Sequence, residues 1–127
     1  MVIKKIEHTA IIVKNLEESI EFYEKFLNFK VRTTVNTDKR KLGFLYVQNQ
    51  PNVEIELIEE LTDIKNPATN GVVDHLAFAV DNLEKTIEEL ESKGIEFPEP
   101  PRISAASGDK TIFFNGLNGE LLQLIER

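Results

Sequence analysis

Apolar and polar residues alternate at the start of the chain in a pattern that predicts a strand followed by an amphipathic helix. The period of two across residues 5–13 places four side chains on one face: Ile6, His8, Ala10 and Ile12. The next apolar residues recur at helical spacing, at Leu16, Ile20, Tyr23 and Leu27. Asn15 is a suitable N-cap with Glu18 three residues on, so we expect a helix that ends near Asn28.

The rest of the chain is predicted to contain a second helix and further strands. The strands are expected at residues 29–34, 43–48, 53–59, 73–80, 95–97, 111–115 and 121–126. Pro51-Asn52 marks a turn before the fourth strand, and the second helix runs from Asn82 to about Lys93, where Gly94 stops it. Residues 102–109 are small and polar and are expected to form a mobile loop.

The chain contains an internal repeat at a shift of 67 residues. IEHTAIIVKNLEESIEFYE (6–24) lies over VDHLAFAVDNLEKTIEELE (73–91) with nine of nineteen positions identical, and the same shift lays 52–59 over 119–126 without a gap between. The only two histidines, His8 and His75, coincide, and Glu56 falls on Gln123. We therefore expect one domain, 1–127, built from repeats 1–60 and 71–127 with a linker at 61–70.

Strand parity places side chains of metal-ligand type on the faces opposite the helices. Leu76 and Phe78 are expected to pack beneath the second helix, whereas Ala77 and Ala79 leave room beside His75. The inner faces then carry one side chain from the first and one from the last strand of each repeat: His8, Glu56, His75 and Gln123. Such a set suits Zn, Ni, Co, Fe or Mn better than Ca. The alternatives are that the histidines are hydrogen-bonded structural residues and that Gln123 only lines a cavity.

Composition narrows the class of partner. The chain has 127 residues, a formal net charge of −7 and no cysteine. Acidic balance disfavours nucleic acid and membrane surfaces, and no apolar run approaches the roughly 20 residues that span a bilayer. The short basic stretch 38–41 is expected to be a solvated turn. Without a secretory signal or disulfides, the expected location is the cytoplasm and the expected partner a small molecule.

Four segments resemble the vicinal oxygen chelate superfamily, the glyoxalase I fold group. They are HTAIIVKNLEESIEFYEKFLNFKV, VEIELIE, DHLAFAV and NGELLQLIE, which together run over essentially the whole chain. The resemblance implies an α+β fold in which paired βαβββ modules form a curved eight-stranded mixed sheet with outer helices. It also implies that a divalent metal is held by His8, Glu56, His75 and Gln123. The nearest likeness is to small bacterial lactoylglutathione lyases, and homodimers are common in the superfamily.

Three positions depart from the glyoxalase I pattern. The family has a glutamate where Gln123 stands, commonly an arginine where Ile12 stands, and commonly an asparagine where Glu60 stands. An amide cannot act as a base at neutral pH. Isoleucine and an extra negative charge do not favour an anionic tripeptide such as glutathione. The likeness therefore carries the fold and the ligand positions better than it carries the glutathione site.

The implied activity is that of a metal-dependent, glyoxalase I-like lyase or isomerase that stabilises an enediolate from a 2-oxoaldehyde–thiol adduct. Glu56 is expected to be both ligand and base, with Glu54 and Glu120 as weaker candidates for a second base. Arg102 is the available anchor for a substrate carboxylate or phosphate. The alternatives are a methylmalonyl-CoA-type epimerase, a ring-cleaving dioxygenase, a fosfomycin-type thiol transferase, or a non-enzymatic drug-binding protein of the bleomycin-resistance type.

Overall fold

The fold was analysed in a computed structural model, which describes residues 3–62, 69–117 and 119–127. Its elements in chain order are β1 (Ile3–Ile12), α1 (Leu16–Leu27), β2 (Lys30–Asn36), β3 (Arg40–Val47), β4 (Gln50–Glu60), β5 (Val73–Val80), α2 (Leu83–Ser92), β6 (Arg102–Ile103), β7 (Lys110–Asn115) and β8 (Leu121–Glu126). Each half follows the order βαβββ, so the predicted α+β class and module order are confirmed. Most of the predicted linker, at 63–68, lies outside the described residues, as does Asn118.

The chain divides into two compact units, each of which has its own hydrogen-bonded strands. The His8 unit comprises residues 8–74, and the His75 unit comprises residues 1–7 and 75–127. Strands follow the order β2-β3-β4-β1 in the His8 unit and β1-β5-β8-β7-β6 in the His75 unit. Strand β1 appears in both orders because its first residues belong to one unit and its last residues to the other.

In the His8 unit, the helix covers one face of the strands. β1 runs parallel to β4, and β3 pairs antiparallel with both β2 and β4. The core beneath α1 is built on Leu16, Leu45 and Leu57. Leu27 was expected to face this core but is 48% exposed, because the helix ends there and Phe29 packs in its place against Tyr23.

The His75 unit repeats this arrangement. β5 runs parallel to β8, and β7 pairs antiparallel with β8 and with the short β6. Its core is formed by buried residues of α2 and the strands beneath it: Val80, Leu83, Ile112, Phe114 and Leu124. Phe78 packs against this core, as the strand parity predicted.

Both helices begin and end where the sequence predicts. Asn15 and Asn82 accept hydrogen bonds from backbone N–H groups three residues on, at 2.9 and 3.0 Å. Asn28 ends α1 in the left-handed conformation with φ 57°, and Gly94 follows α2 with φ 99°. Short polar side chains at the N-cap and a left-handed residue after the last turn satisfy groups that a helix leaves open.

A second capping contact was not predicted from the sequence. The Glu59 carboxylate accepts a hydrogen bond from the backbone N–H of Leu16 at 2.8 Å, and the Glu126 carboxylate accepts one from Leu83 at 2.9 Å. Each glutamate comes from the last strand of its repeat, about forty positions from the helix it caps. A carboxylate at a helix N-terminus is stabilised by the helix dipole. The strand therefore holds the helix by a charged hydrogen bond as well as by apolar packing.

Two strand predictions were wrong. Residues 95–97 form no strand; Ile95 and Phe97 pack against the α2 core instead, and the prolines that follow cannot donate ladder hydrogen bonds. The sixth strand is Arg102–Ile103, within the predicted loop, and it pairs with Thr111 and Lys110. In the first half, Pro51-Asn52 lies inside β4 and the turn falls at 48–49.

Strand register also corrects the gapless repeat. Phe44 lies opposite Glu56 in the β3–β4 pair, and Phe113 lies opposite Gln123 in the β7–β8 pair. Phe44 and Phe113 are therefore equivalent at a shift of 69, not 67. The second hairpin is two residues shorter than the first, and the difference is made up before β7. A constant shift of 67 residues would therefore pair the wrong residues of β3 and β7.

None of the helices within the described residues is long and apolar enough to cross a membrane.

Candidate metal centre

His8 and Glu56 lie side by side on the parallel strands β1 and β4. The strand register places His8 opposite Glu54 and Ala10 opposite Glu56. His8 Nε2 is 3.3 Å from Glu56 Oε1, and both residues are buried. Two atoms bound to one ion at about 2.0–2.2 Å can be no more than about 4 Å apart. These two atoms are therefore close enough to share a proton or to bind a single ion.

An aromatic ring and an ion pair flank this histidine–glutamate pair. The Phe44 ring makes an edge contact with His8 at 6.2 Å between centroids, and the Arg32 guanidinium lies 5.2 Å from the Phe44 centroid. Arg32 also forms two hydrogen bonds with the buried Glu54 carboxylate. Because a guanidinium occupies both Glu54 oxygens, Glu54 is poorly placed to accept a substrate proton.

In the His75 unit, the amide of Gln123 is oriented by a hydroxyl chain. Gln123 Nε2 donates to Thr111 Oγ1 at 2.7 Å, and Thr111 Oγ1 donates to the Leu124 carbonyl at 2.8 Å. Because the hydroxyl hydrogen is used on that carbonyl, the hydroxyl oxygen must accept from the amide, which fixes which way the amide points. Gln123 Oε1 is left buried and without a hydrogen-bond partner in the part of the chain that the structure describes.

The chemistry of these side chains fits a divalent ion. A buried amide oxygen with no hydrogen bond is rare and needs an explanation, and a metal ligand is one. His75, also buried, makes an edge contact with the Phe113 ring at 5.4 Å. The His75 unit thus carries an imidazole and a neutral oxygen, and the His8 unit carries an imidazole and a carboxylate, all of which are donor types that divalent ions accept.

Arg102 occupies a strand rather than the predicted loop. It lies at the start of β6 opposite Thr111, with its guanidinium 5.2 Å from the Phe113 centroid. Glu120, which was expected to be a weaker candidate for a second base alongside Glu54, is exposed and lies just before β8. Arg102 could be selected from the sequence as a candidate anion-binding cation. The two phenylalanines could not, since their equivalence appears only once the strands are paired.

Two expectations about the surroundings change. Ala77 and Ala79 are fully buried, so protein atoms cover them and they do not leave room for a ligand. Glu60 forms an ion pair with Arg40 at 2.9 Å, so its charge is compensated locally. Sequence parity identified the face of β5 correctly but could not show what covers it.

The sequence of this chain is similar to those of several known proteins. It is 32% identical to the uncharacterized protein YwkD of Bacillus subtilis (strain 168), with 100% of both chains covered. It is 27% identical to the mitochondrial methylmalonyl-CoA epimerase of Dictyostelium discoideum, covering 98% of this chain and 80% of that one. It is 29% identical to a lactoylglutathione lyase of Escherichia coli O157:H7, covering 71% of this chain and 68% of that one.

The fold is shared with solved structures. The crystal structure of a methylmalonyl-CoA epimerase from Mycobacterium tuberculosis superposes with a TM-score of 0.85 at 22% identity, over 98% of this chain and 88% of that one. The family model described as Glyoxalase/Bleomycin resistance protein/Dioxygenase superfamily matches residues 5–124. The chain therefore belongs to the Glyoxalase/Bleomycin resistance protein/Dioxygenase superfamily, as the resemblance in its sequence implied.

Proposed function

We propose that this protein is a metal-dependent enzyme that moves a proton at a carbon next to a carbonyl, with His8, Glu56, His75 and Gln123 holding the metal. One observation carries the proposal. Within the His8 unit, the buried His8 Nε2 and Glu56 Oε1 lie 3.3 Å apart. Burying an imidazole and a carboxylate so close together is costly unless a proton or a cation is shared between them.

The types of ligand atom limit which metal ions would bind well. Nitrogen from two histidines with oxygen from Glu56 and Gln123 is a borderline donor set that suits Zn, Ni, Co, Fe or Mn. Four protein ligands leave coordination positions open for substrate in a six-coordinate ion. When bound, such an ion supplies Lewis-acid stabilisation of negative charge on neighbouring substrate oxygens.

Glu56 is the one acidic residue in this ligand set and is proposed as the base. On a 2-oxoaldehyde–thiol adduct, its carboxylate would take the proton from the carbon that carries sulfur, leaving the electron pair in an enediolate. Returning that proton to the adjacent carbon gives a 2-hydroxy thioester, so no other reactant is needed. A single base suffices for this isomerisation, which is why the glyoxalase I type is the first candidate.

The second candidate is an epimerase acting on a branched acyl-CoA thioester. Its support is the match to the methylmalonyl-CoA epimerase of Dictyostelium discoideum, which covers 98% of this chain and 80% of that one. An epimerase of this kind needs a base on each side of one carbon. Glu54 is engaged by Arg32, so a second base has no candidate of equal quality.

The metal site is tested by metal analysis of the purified protein. We expect close to one divalent ion per chain for the wild type and loss of that ion in the double variant His8→Ala/His75→Ala. Glu88→Ala removes an exposed carboxylate and serves as the control, with unchanged metal content. Equal metal content in the wild type and the double variant, after loading with Zn²⁺ or Ni²⁺, would contradict the site.

The reaction is tested by two substrates on the metal-loaded protein. Methylglyoxal with a panel of thiols should yield a thioester if the glyoxalase I type is right, and 2-methylmalonyl-CoA in D₂O should exchange its C2 hydrogen if the epimerase type is right. Glu56→Gln should lower either rate by at least about a hundredfold, since general-base catalysis contributes roughly 10²–10⁴. No conversion of either substrate by protein that retains metal would refute this pair of reactions.

Assembly and location belong to the same proposal. We propose a homodimer in the cytoplasm, because such dimers are common in the superfamily and the chain has no cysteine. Sedimentation equilibrium tests the dimer: a single species at monomer mass over the micromolar range would exclude it.

A further inference from the structure

Each unit contains the same stack of arginine, phenylalanine and histidine. Arg32 and Arg102 each lie 5.2 Å from the centroid of a phenylalanine ring. Each ring in turn meets the histidine of its unit nearly perpendicularly, at interplanar angles of 87° and 88°. A flat guanidinium over an aromatic ring keeps its N–H edge available for a planar partner.

The two stacks differ in what neutralises the arginine. In the His8 unit, Arg32 is paired with Glu54, whose carboxylate is buried and receives two hydrogen bonds. At the shift of 67 that relates β4 to β8, the residue equivalent to Glu54 is Leu121. The guanidinium of Arg102 forms no hydrogen bond or ion pair with any residue that the structure describes. One arginine therefore has a built-in counterion, and the other has a leucine in the counterion's place.

We propose that Arg102 binds an oxyanion group of the substrate, a carboxylate or a phosphate, and so makes this an enzyme for anionic small molecules. This inference rests on the proposed function, because the stack ties Arg102 through Phe113 to His75, a proposed metal ligand. The two centre-to-centre distances in the stack limit how far the guanidinium can lie from the imidazole. A substrate whose anionic group and carbonyl are separated by several bonds could therefore contact Arg102 and place its carbonyl near His75.

The protein's negative charge makes a local cation necessary for anion binding. With a net charge of −7 the chain as a whole repels anions, so an anionic substrate needs a local cation to bind. Arg32 cannot supply this cation, because its guanidinium is already paired with the Glu54 carboxylate. Because a guanidinium presents two parallel N–H donors, it recognises a planar carboxylate by a bidentate pair that a neutral ester cannot make.

The test compares a charged with an uncharged carbonyl compound. Pyruvate and methyl pyruvate share vicinal oxygens and differ in the free carboxylate; both are titrated into the wild type with and without Zn²⁺, following the Arg102 Nε–H resonance by NMR. We expect pyruvate to shift this resonance and to bind at least about tenfold more tightly than the ester, which is the usual worth of a charge-assisted hydrogen bond. Inorganic phosphate, titrated in the same way, shows whether the subsite prefers carboxylate or phosphate.

Two variants separate this subsite from folding effects. Arg102→Gln should abolish the preference for pyruvate over its ester, and Arg102→Lys should retain part of it. Leu121→Glu installs the counterion that Glu54 supplies in the other unit, so it should weaken pyruvate binding about as much as Arg102→Gln while the arginine remains in place.

The outcomes distinguish the two proposals. Failure of the wild type to bind Zn²⁺ refutes the metal site, whereas the Arg102 resonance reports anion binding with or without the ion. The subsite is refuted if neither pyruvate nor phosphate shifts the Arg102 resonance, or if Arg102→Gln and Leu121→Glu leave the pyruvate preference intact.

Discussion

On the inner face of the His8 unit the charged side chains are paired with one another, whereas on the inner face of the His75 unit Arg102 has no such partner among the described residues. In the first, a guanidinium is neutralised by the buried Glu54, and the histidine faces the Glu56 carboxylate at 3.3 Å. In the second, the corresponding positions hold Leu121 and the neutral Gln123. The two copies of one framework thus differ at two positions of the last strand, where one copy has two carboxylates and the other has none.

This difference between the two units is compatible with a base in one unit and an anion site in the other. A carboxylate at position 123 would offer a second base, but it would also repel an anionic substrate bound nearby. An amide keeps an oxygen for a metal and adds no charge. Under the proposed function, proton transfer belongs to the His8 unit and recognition of the substrate's charge to the His75 unit.

The largest effect is expected in the two cores, where the units should behave alike. Leu57 and Leu124 are equivalent, and each is at most 1% exposed. Leu57→Ala and Leu124→Ala should each lower the free energy of unfolding by about 2–5 kcal/mol, because both leave a cavity. Urea denaturation measures the loss, and Leu117→Ala, at a side chain that is 99% exposed, is the matched control. A loss confined to one unit would mean that the two cores are not equivalent.

Exchanging the glutamate and the glutamine between positions 56 and 123 tests whether a carboxylate can act as ligand and base in either unit. Gln123→Glu should raise metal affinity about tenfold or more and increase proton-transfer turnover, since it adds a charged ligand and a second base. The swap Glu56→Gln/Gln123→Glu should recover part of the activity that Glu56→Gln loses. Calorimetric titration with Zn²⁺ and the exchange assay in D₂O give the two readings. A swap no better than Glu56→Gln would show that the base must be in the His8 unit.

The helix caps should show a smaller difference between the units. Glu59 is 8% exposed and Glu126 is only half-buried, so water can replace Glu126 more readily. Glu59→Ala should cost about 1.5–3 kcal/mol of unfolding free energy, the range for a hydrogen bond to a charged group, and Glu126→Ala should cost about half as much. Glu59→Gln keeps the acceptor and should cost less than Glu59→Ala. Equal losses of unfolding free energy for the two alanine variants, measured by thermal unfolding, would contradict this prediction.

The smallest effect concerns two exposed ion pairs that occur at equivalent places. Lys41 donates to Glu17 at 2.7 Å and Lys110 donates to Glu84 at 3.0 Å, which lowers the pKa of each glutamate below its usual value. Because the folded pKa is the lower one, each pair stabilises the fold above the unfolded glutamate pKa and is lost as pH falls through the folded pKa.

Removing either lysine should return the pKa of its glutamate toward the ordinary value. Carboxyl NMR titration of Lys41→Met and Lys110→Met measures this change, and the untouched glutamate in each variant is the internal control. The stability of both variants at neutral pH should change little, since exposed ion pairs contribute little. An unchanged glutamate pKa in either variant would show that the lysine is not its cause.

Much of the framework could be predicted because its causes are local. The N-caps at Asn15 and Asn82 and the left-handed positions at Asn28 and Gly94 follow from the chemistry of single residues near helix ends. The strand faces around His8 and His75 follow from a period of two. The short strand at Arg102 was missed because two residues carry no periodic pattern, and its partners at Thr111 and Lys110 are known only when β7 is in place.

The sequence by itself determined the repeat, the helix boundaries and the equivalence of His8 with His75 and of Glu56 with Gln123, since these depend on residue identity and spacing along one segment. Only the tertiary structure decided that Arg32 is neutralised while Arg102 is not, and that Thr111 turns the Gln123 oxygen away from a hydrogen bond. These contacts join strands whose relative register depends on hairpin length. A difference of two residues between the hairpins moved the equivalent phenylalanines to positions that no comparison of the repeats alone would pair.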